Sequence, residues 1–76
     1  MTLELAILNA LVGSPRAIPS TVISGFVAAY TGEPATLGDI DLALRRLEKK
    51  GHVKGTANED RGTLWKETDD GRLRLS

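Results

Sequence analysis

The segment from Leu37 to Arg72 constrains the fold more than any other part of the chain. Its first part repeats large aliphatic residues at helical spacing, at Leu37, Ile40, Leu44 and Leu47. Gly51 ends that pattern, as glycine often does after the last helical turn. Two short segments with strand character follow, His52–Thr56 and Thr63–Glu67, and the turn-rich segment Ala57–Gly62 separates them. The order predicted is therefore a helix followed by a β-hairpin.

Two further helices are predicted ahead of this segment. The first begins after Thr2 as N-cap and ends near Val12, where Gly13-Ser14-Pro15 stops it. The second begins at Pro19-Ser20 and ends near Thr31-Gly32. Its apolar residues at helical spacing are Val22, Ile23, Phe26, Val27 and Tyr30. Gly25 lies within this second helix and indicates either close packing against a neighbour or a helix that is not optimised.

The sequence also predicts how the elements begin and connect. Thr36 is expected to cap the third helix, with Asp39 placed to complete a capping box. We expect Ser20 and Thr21 to cap the second helix rather than to bind a phosphate. Arg16–Ile18 is a candidate short third strand, and Thr68-Asp69-Asp70 is typical of a further helix start.

Composition indicates a small soluble domain with an uneven charge distribution. The 76 residues allow one domain, 1–76, and no apolar run approaches the roughly 18 residues that span a bilayer. The formal net charge is zero, but residues 1–42 carry one basic and four acidic side chains. Residues 43–76 carry nine basic and six acidic ones, which suggests one positive face. No basic region precedes an apolar core at the N-terminus, so we expect a cytoplasmic protein without a secretory signal.

Catalysis and cofactor binding find little support. The chain has no cysteine, so disulfides and thiolate metal sites are excluded, and it has no glycine-rich phosphate loop. His52 is the only histidine, and no second ligand or nucleophile is placed beside it in the sequence. We expect no enzyme activity, no metal and no cofactor. Trp65 is expected to anchor the hairpin in the core rather than to stack on a base.

The order of elements resembles a winged helix-turn-helix domain. The segment Ala43–Val53 (A-L-R-R-L-E-K-K-G-H-V) is similar to the end of the recognition helix in MarR-like and PadR-like regulators. The segment Leu64–Arg72 (L-W-K-E-T-D-D-G-R) is similar to the strand-to-helix motif that closes the wing in those families. The resemblance covers nearly the whole chain. It implies an α+β fold with a three-helix core and a two- to three-stranded antiparallel wing, and it implies binding to double-stranded DNA.

The resemblance assigns roles to particular residues. The side of the third helix opposite its aliphatic stripe carries Gly38, Leu42, Arg45 and Lys49, and this side would enter the major groove. Thr36, Gly38 and Leu42 would face bases. Phosphate contacts would come from the third helix and the wing, through Arg45, Arg46, Lys49, Lys54, Arg61 and Lys66. This assignment predicts a small transcriptional regulator.

The sequence departs from the family pattern in three places, and the acidic first turns of the third helix together with the zero net charge support an alternative. The first turns of the third helix carry Asp39 and Asp41, which phosphates would repel. Glu67 stands where the families place an apolar residue, and the chain ends soon after the wing without a long dimerisation helix. The alternative is a protein-interaction module with Leu42 as an apolar anchor ringed by charge. An isolated exposed leucine also has no necessary function. Dimerisation through the first helix remains open.

Overall fold

A computed structural model describes residues 2–75 of the chain. Its elements in chain order are α1 (Leu3–Val12), β1 (Ile18–Pro19), α2 (Ser20–Thr31), α3 (Leu37–Lys49), β2 (Val53–Asn58), β3 (Gly62–Glu67) and α4 (Asp69–Arg74). The strands form one antiparallel sheet in the order β1-β3-β2. This is the α+β architecture that the sequence predicts, including the short third strand, which lies at Ile18–Pro19 rather than at Arg16–Ile18.

Threonine side chains begin three of these helices. Thr2, Thr36 and Thr68 each accept a hydrogen bond from a backbone amide in the first turn of α1, α3 and α4. A cap of this kind stabilises a helix by about 1 kcal/mol. The start of α2 differs, because its N-cap is Pro19 and no side chain caps it. The expectation that Ser20 or Thr21 caps this helix is therefore wrong.

The core lies between the three helices and one side of the sheet. Its buried residues are Ala6, Ile7, Leu8 and Leu11 of α1, Ile23 and Val27 of α2, Ile40, Ala43, Leu44 and Leu47 of α3, and Val53 and Trp65 of the sheet. The predicted stripe of α3 needs one correction, since Leu37 is 46% exposed. Helical residues are about 100° apart, so the buried set is centred between Ile40 and Ala43 and leaves Leu37 at its edge.

Helix α2 packs through a narrower face than its sequence suggests. Ile23 and Val27 are buried, whereas Val22, Phe26 and Tyr30 are more than a third exposed. No atom outside the local backbone lies within 4 Å of the position that a Cβ on Gly25 would occupy. The close-packing interpretation of Gly25 is therefore wrong. The apolar repeat of α2 is wider than the surface that α1 and α3 cover.

The junction after α3 joins this helix to the hairpin and to α4. Gly51 has a φ of 81°, in the left-handed region, and so turns the chain out of the helix. The His52 amide donates to the Leu47 carbonyl at 2.9 Å, and the His52 carbonyl accepts from the Thr68 amide at 3.0 Å. Gly71 is buried against the same carbonyl, with which a Cβ at this position would collide. The glycine of the motif Thr68–Arg72 (T-x-x-G-R) is thus required by the close approach of this carbonyl, which the Thr68 amide also contacts.

A three-residue ion-pair network explains why an acid follows the last strand. Glu67, whose side chain is 3% exposed, pairs with Lys66 at 2.5 Å and with Arg72 at 2.6 Å. Burial acts to raise the pKa of Glu67, but hydrogen bonds from Lys66 and Arg72 outweigh it and hold that pKa below its ordinary value. The family's apolar position is therefore replaced here by a paired carboxylate that links β3 to α4.

Lys66 has a structural role instead of the predicted phosphate contact. Its Nζ donates to the carbonyl oxygens of Leu11 at 2.9 Å and Ser14 at 2.6 Å, at the end of α1. The carbonyl end of a helix attracts a cation, and the ion pair with Glu67 engages the same ammonium. The assignment of Lys66 to the DNA contacts is therefore wrong, because its donors are already bound within the domain.

Adding a methyl group at Gly71 should destabilise the protein. Alanine has the higher helix propensity, by about 1 kcal/mol, but its Cβ would collide with the His52 backbone. We expect Gly71→Ala to lower the free energy of unfolding by about 3 kcal/mol, measured by urea denaturation. Gly25→Ala in α2 is the matched control and should raise it by up to about 1 kcal/mol. Equal stability of Gly71→Ala and the parent would contradict the proposed contact.

Neutralising Glu67 should give a pH-dependent loss of stability. The folded-state pKa is lowered, so the stabilisation by ionised Glu67 is present above about pH 4.3 and is lost as pH falls through the folded pKa. We expect Glu67→Gln to be less stable than the parent by roughly 1–3 kcal/mol at pH 7. Urea denaturation between pH 7 and pH 3 should show this gap closing below about pH 4. A constant gap would show that the charge of Glu67 contributes nothing.

Candidate nucleic-acid interface

One side of α3 is open to solvent because the opposite side is buried. Gly38, Leu42, Arg45 and Lys49 are all exposed and lie in a row along this side, which we call the outward face. Leu42, at its centre, is 56% exposed and is not sealed in the core. Arg45 and Lys49 have no ion pair or hydrogen-bond partner among the residues described. The structure thus brings together four of the residues predicted to contact DNA.

The acidic residues of α3 lie beside the outward face rather than on it. Asp41 accepts a hydrogen bond from the Ser20 hydroxyl at 2.8 Å, on the flank next to α2. Asp39 lies on the other flank, in a groove shared with Leu3 and Glu4 of α1. The two carboxylates are therefore separated by the row of Gly38, Leu42, Arg45 and Lys49. Neither carboxylate therefore lies on the row itself.

Two further residues predicted to contact DNA, Thr36 and Arg46, lie at the start and on the flank of α3. The Thr36 side-chain oxygen accepts the Asp39 amide at 3.1 Å, so Thr36 caps the helix while remaining exposed. Arg46 is exposed in the groove with Asp39, on the α1 flank. Lys50, in the same charged run, pairs with Glu4 of α1 at 3.3 Å. Arg46 therefore lies at the edge of the outward face rather than along it.

A hydrogen bond and a buried tryptophan hold the wing beside α3. Glu48 accepts a hydrogen bond from the Gly55 amide at 3.3 Å, which joins the end of α3 to β2. Trp65 is 7% exposed and lies over Gly55, where a Cβ would come within 2.9 Å of the indole. This confirms Trp65 as a hydrophobic anchor. The glycine opposite it in the ladder provides the space for the ring.

Arg61 lies at the tip of the wing in a defined turn. The Asn58 side-chain oxygen accepts the amides of Asp60 and Arg61, both at 3.0 Å, in the manner of an Asx turn. Gly62, with a φ of 74°, then begins β3. Arg61 and Arg45 both line a notch of about 300 Å³ between the wing, α3 and the first residues of α2. The wing and the outward face therefore share one surface at these two arginines.

Lys54 is the predicted contact that the structure leaves apart from this surface. It pairs with Lys66 across the ladder, whereas Trp65 pairs with Gly55. Since paired residues share a side of the sheet and neighbours alternate, Lys54 lies on the side away from Trp65. It also lies at the base of the wing rather than at its tip. We therefore do not include Lys54 with Arg45 and Arg61.

The contacts between elements were not predicted from the sequence. Asp41 and Ser20 are 21 residues apart, and Lys66 and Leu11 are 55 apart. The one available signal was the conflict between Glu67 and the family's apolar pattern, which a nearby basic partner such as Arg72 resolves. In residues 2–75, no group of three potential metal-ligating acidic or histidine side chains is assembled. No helix in this range is long and apolar enough to cross a membrane.

Comparisons with known proteins place this geometry in context. No protein-family model and no curated protein matches the sequence. Among solved structures, the chain is similar to the PcaV transcriptional regulator from Streptomyces coelicolor, crystallised with its natural ligand, with a TM-score of 0.78 and 25% identity. The match covers 99% of this chain and 49% of PcaV, so the chain spans about half the length of that protein.

A second solved structure is also similar to this chain. TA0346 from Thermoplasma acidophilum, which is assigned provisionally as a transcriptional regulator, matches with a TM-score of 0.76 and 25% identity. That match covers 96% of this chain and 70% of TA0346. Neither protein is described as an enzyme. The chain has the winged helix-turn-helix fold, in which the hairpin of β2 and β3 is the wing and α3 is the helix that precedes it.

Proposed function

We propose that this domain binds double-stranded DNA and acts in transcriptional regulation. The outward face of α3 enters the major groove, and the tip of the wing contacts the phosphate backbone. The observation that carries this proposal is the exposed row of Gly38, Leu42, Arg45 and Lys49, which lies beside Arg61 of the wing. The similarity to two transcriptional regulators over nearly the whole chain supports it.

The outward face has the chemistry that a groove requires. A major groove about 12 Å wide admits one α-helix, and Gly38 adds no side chain that would hold α3 away from the base edges. Leu42 is suited to contact a thymine methyl group, which is the apolar feature of that groove. Arg45 and Lys49 are unpaired cations on the same row and would neutralise phosphates on either side of the groove.

A formal net charge of zero is compatible with this surface. Among the described residues, two acids form ion pairs inside the domain: Glu4 with Lys50, and Glu67 with Lys66 and Arg72. Arg45, Lys49 and Arg61 have no such partner. The cations on the proposed surface are therefore available to bind an external anion.

The alternative function, a protein-interaction module anchored by Leu42, is less well supported. The matched structures are transcriptional regulators, and Leu42 is flanked on its row by Gly38 and Arg45 rather than by further apolar side chains. An isolated leucine offers little of the area that a stable protein interface buries, about 800 Å² per partner. DNA binding uses the whole row, whereas protein docking would use one residue of it.

A duplex-binding assay with a charge-reversed variant tests the proposal. The parent should shift random duplex at about 50 mM salt, because non-specific binding is electrostatic. Arg45→Glu combined with Lys49→Glu should weaken binding at least about 100-fold, the result of losing two charge-assisted contacts. Arg74→Glu reverses an exposed arginine on α4, away from the outward face, and is the control that should bind as the parent does.

The outcomes are separated by checking that each variant remains folded by circular dichroism. If the parent does not bind duplex even at low salt, DNA binding is excluded. If the parent binds and the Arg45 and Lys49 double variant binds equally well, the outward face of α3 is not the contact surface.

A further inference from the structure

The notch between α2, α3 and the wing is lined mainly by hydrogen-bond donors. Its lining includes Ser20 and Thr21 at the start of α2, Arg45 of α3, and Arg61 and Thr63 of the wing, with Trp65 as one wall. These residues come from three separate elements. A volume of about 300 Å³ is sufficient for a phosphate group together with water.

Two guanidinium groups are available to an anion in this notch. Neither Arg45 nor Arg61 has a carboxylate partner among the described residues, and both are exposed. Guanidinium groups match the geometry of phosphate oxygens and bind them through paired hydrogen bonds. Since the two arginines line the same notch from opposite elements, they are placed to bind one anion between them.

The start of α2 adds uncapped backbone amides on the same side. Pro19 is the N-cap and provides no side-chain hydrogen bond, although the other three helices are capped by threonine. The first amides of a helix have no partner within the helix and carry its partial positive charge. An anion in the notch would satisfy them, and this helix lacks the cap that would otherwise do so.

Trp65 forms one wall of the notch. It is 7% exposed, and its Nε1–H has no hydrogen-bond partner among residues 2–75. The Cε3 and Cζ3 edge of its ring lies against Gly55 on β2. The opposite edge, which carries Nε1, is directed away from Gly55, and the Nε1 atom is itself buried. Buried donors are rarely left unsatisfied.

One acid lies in the notch and opposes an anion. The Asp41 carboxylate lines it and accepts the Ser20 hydroxyl at 2.8 Å. This bond holds the negative charge at the start of α2, where the helix dipole favours it. A phosphate entering the notch would therefore gain attraction from Arg45 and Arg61 and lose part of it to Asp41.

We propose that this notch binds a single phosphodiester group of the DNA backbone, held jointly by Arg45, Arg61 and the first amides of α2, and that Asp41 lowers the affinity for it. The proposal rests on DNA binding as the function of the domain. Beyond that function, we infer that the wing and α3 bind the same phosphate. Binding of one phosphate by both elements fixes the rotation of α3 in the groove. Asp41 lowers the affinity below the value that the two arginines alone would give.

A double-mutant cycle on duplex affinity tests the shared phosphate. We expect Arg45→Gln and Arg61→Gln each to weaken duplex binding. The double variant should have an affinity close to that of the single variant that binds less tightly, because residues that hold one group are coupled. The slope of log affinity against log salt should change by about one unit in the double variant, as one phosphate contact is lost. Additive losses and a change of about two units would show two separate phosphates and overturn the proposal.

Neutralising Asp41 tests its opposing role. Asp41→Asn keeps an acceptor for the Ser20 hydroxyl but removes the charge, and it should tighten duplex binding by roughly 3- to 10-fold. Asp39→Asn is the matched control, because it removes the same charge from the same helix but on the flank outside the notch. It should change affinity less than Asp41→Asn does. Equal effects of the two variants would show that Asp41 acts only through net charge.

A measurement without DNA separates this proposal from the proposed function. Trp65 is the only tryptophan, so its emission reports on the notch. Adding inorganic phosphate, against sodium chloride of equal ionic strength, should change the emission of the parent and not that of the Arg45→Gln, Arg61→Gln variant. If phosphate changes the emission but the parent does not bind duplex, DNA binding is excluded and the notch is a site for free phosphate. Duplex binding by the parent with no emission change would retain the function and remove the site.

Discussion

Burial of one side of α3 determines which residues the domain can present to a partner. Ile40, Ala43, Leu44 and Leu47 pack against α1, α2 and the sheet, and each large aliphatic side chain contributes about 1.5–3 kcal/mol through its burial. Rotation of α3 about its axis would expose these side chains, so the rotation is fixed. The row opposite them, from Gly38 to Lys49, is thereby held in solvent as a rigid surface. The rest of the proposed interface is built around that row.

The wing depends on the same helix for its position. Glu48 accepts an amide of β2, and the backbone contacts of His52 connect the end of α3 to Thr68 after β3. Trp65 fills the space over Gly55 and packs in the core shared with α3. Local turn chemistry at Asn58 then places Arg61 at the tip. The distance between the wing and α3 is thus set by packing and by hydrogen bonds rather than by a flexible loop.

Much of the fold could be predicted because its signals are local. Threonine caps, a glycine after α3 and a turn-rich segment between two strands each specify structure within a few residues. Errors arose where a contact joins distant segments. The resemblance assigns Lys66 of the wing to the DNA contacts, but its side chain reaches the carbonyl end of α1. Leu37 fits the helical repeat, yet its burial depends on whether a neighbouring element covers that edge of α3, and none does.

The candidate interface could be predicted only in part, because some of its contacts join residues that are distant in the sequence. The helical repeat identifies Leu42, Arg45 and Lys49 as one row, which the structure places in solvent. The hydrogen bond between Ser20 and Asp41 could not be predicted, since the two residues are 21 apart in the chain. Charge counting was similarly incomplete. A net charge of zero hides an arrangement in which Glu4 and Glu67 form ion pairs, while Arg45, Lys49 and Arg61 have none among residues 2–75.

Amide chemical-shift mapping during titration with duplex DNA measures the contact surface most directly. We expect the largest changes along α3 from Gly38 to Lys49 and at the tip of the wing around Arg61, with little change on the exposed side of α2 around Phe26. Changes centred on Phe26 and its neighbours, with the α3 row unaffected, would contradict the claim that the outward face of α3 is the surface that binds DNA.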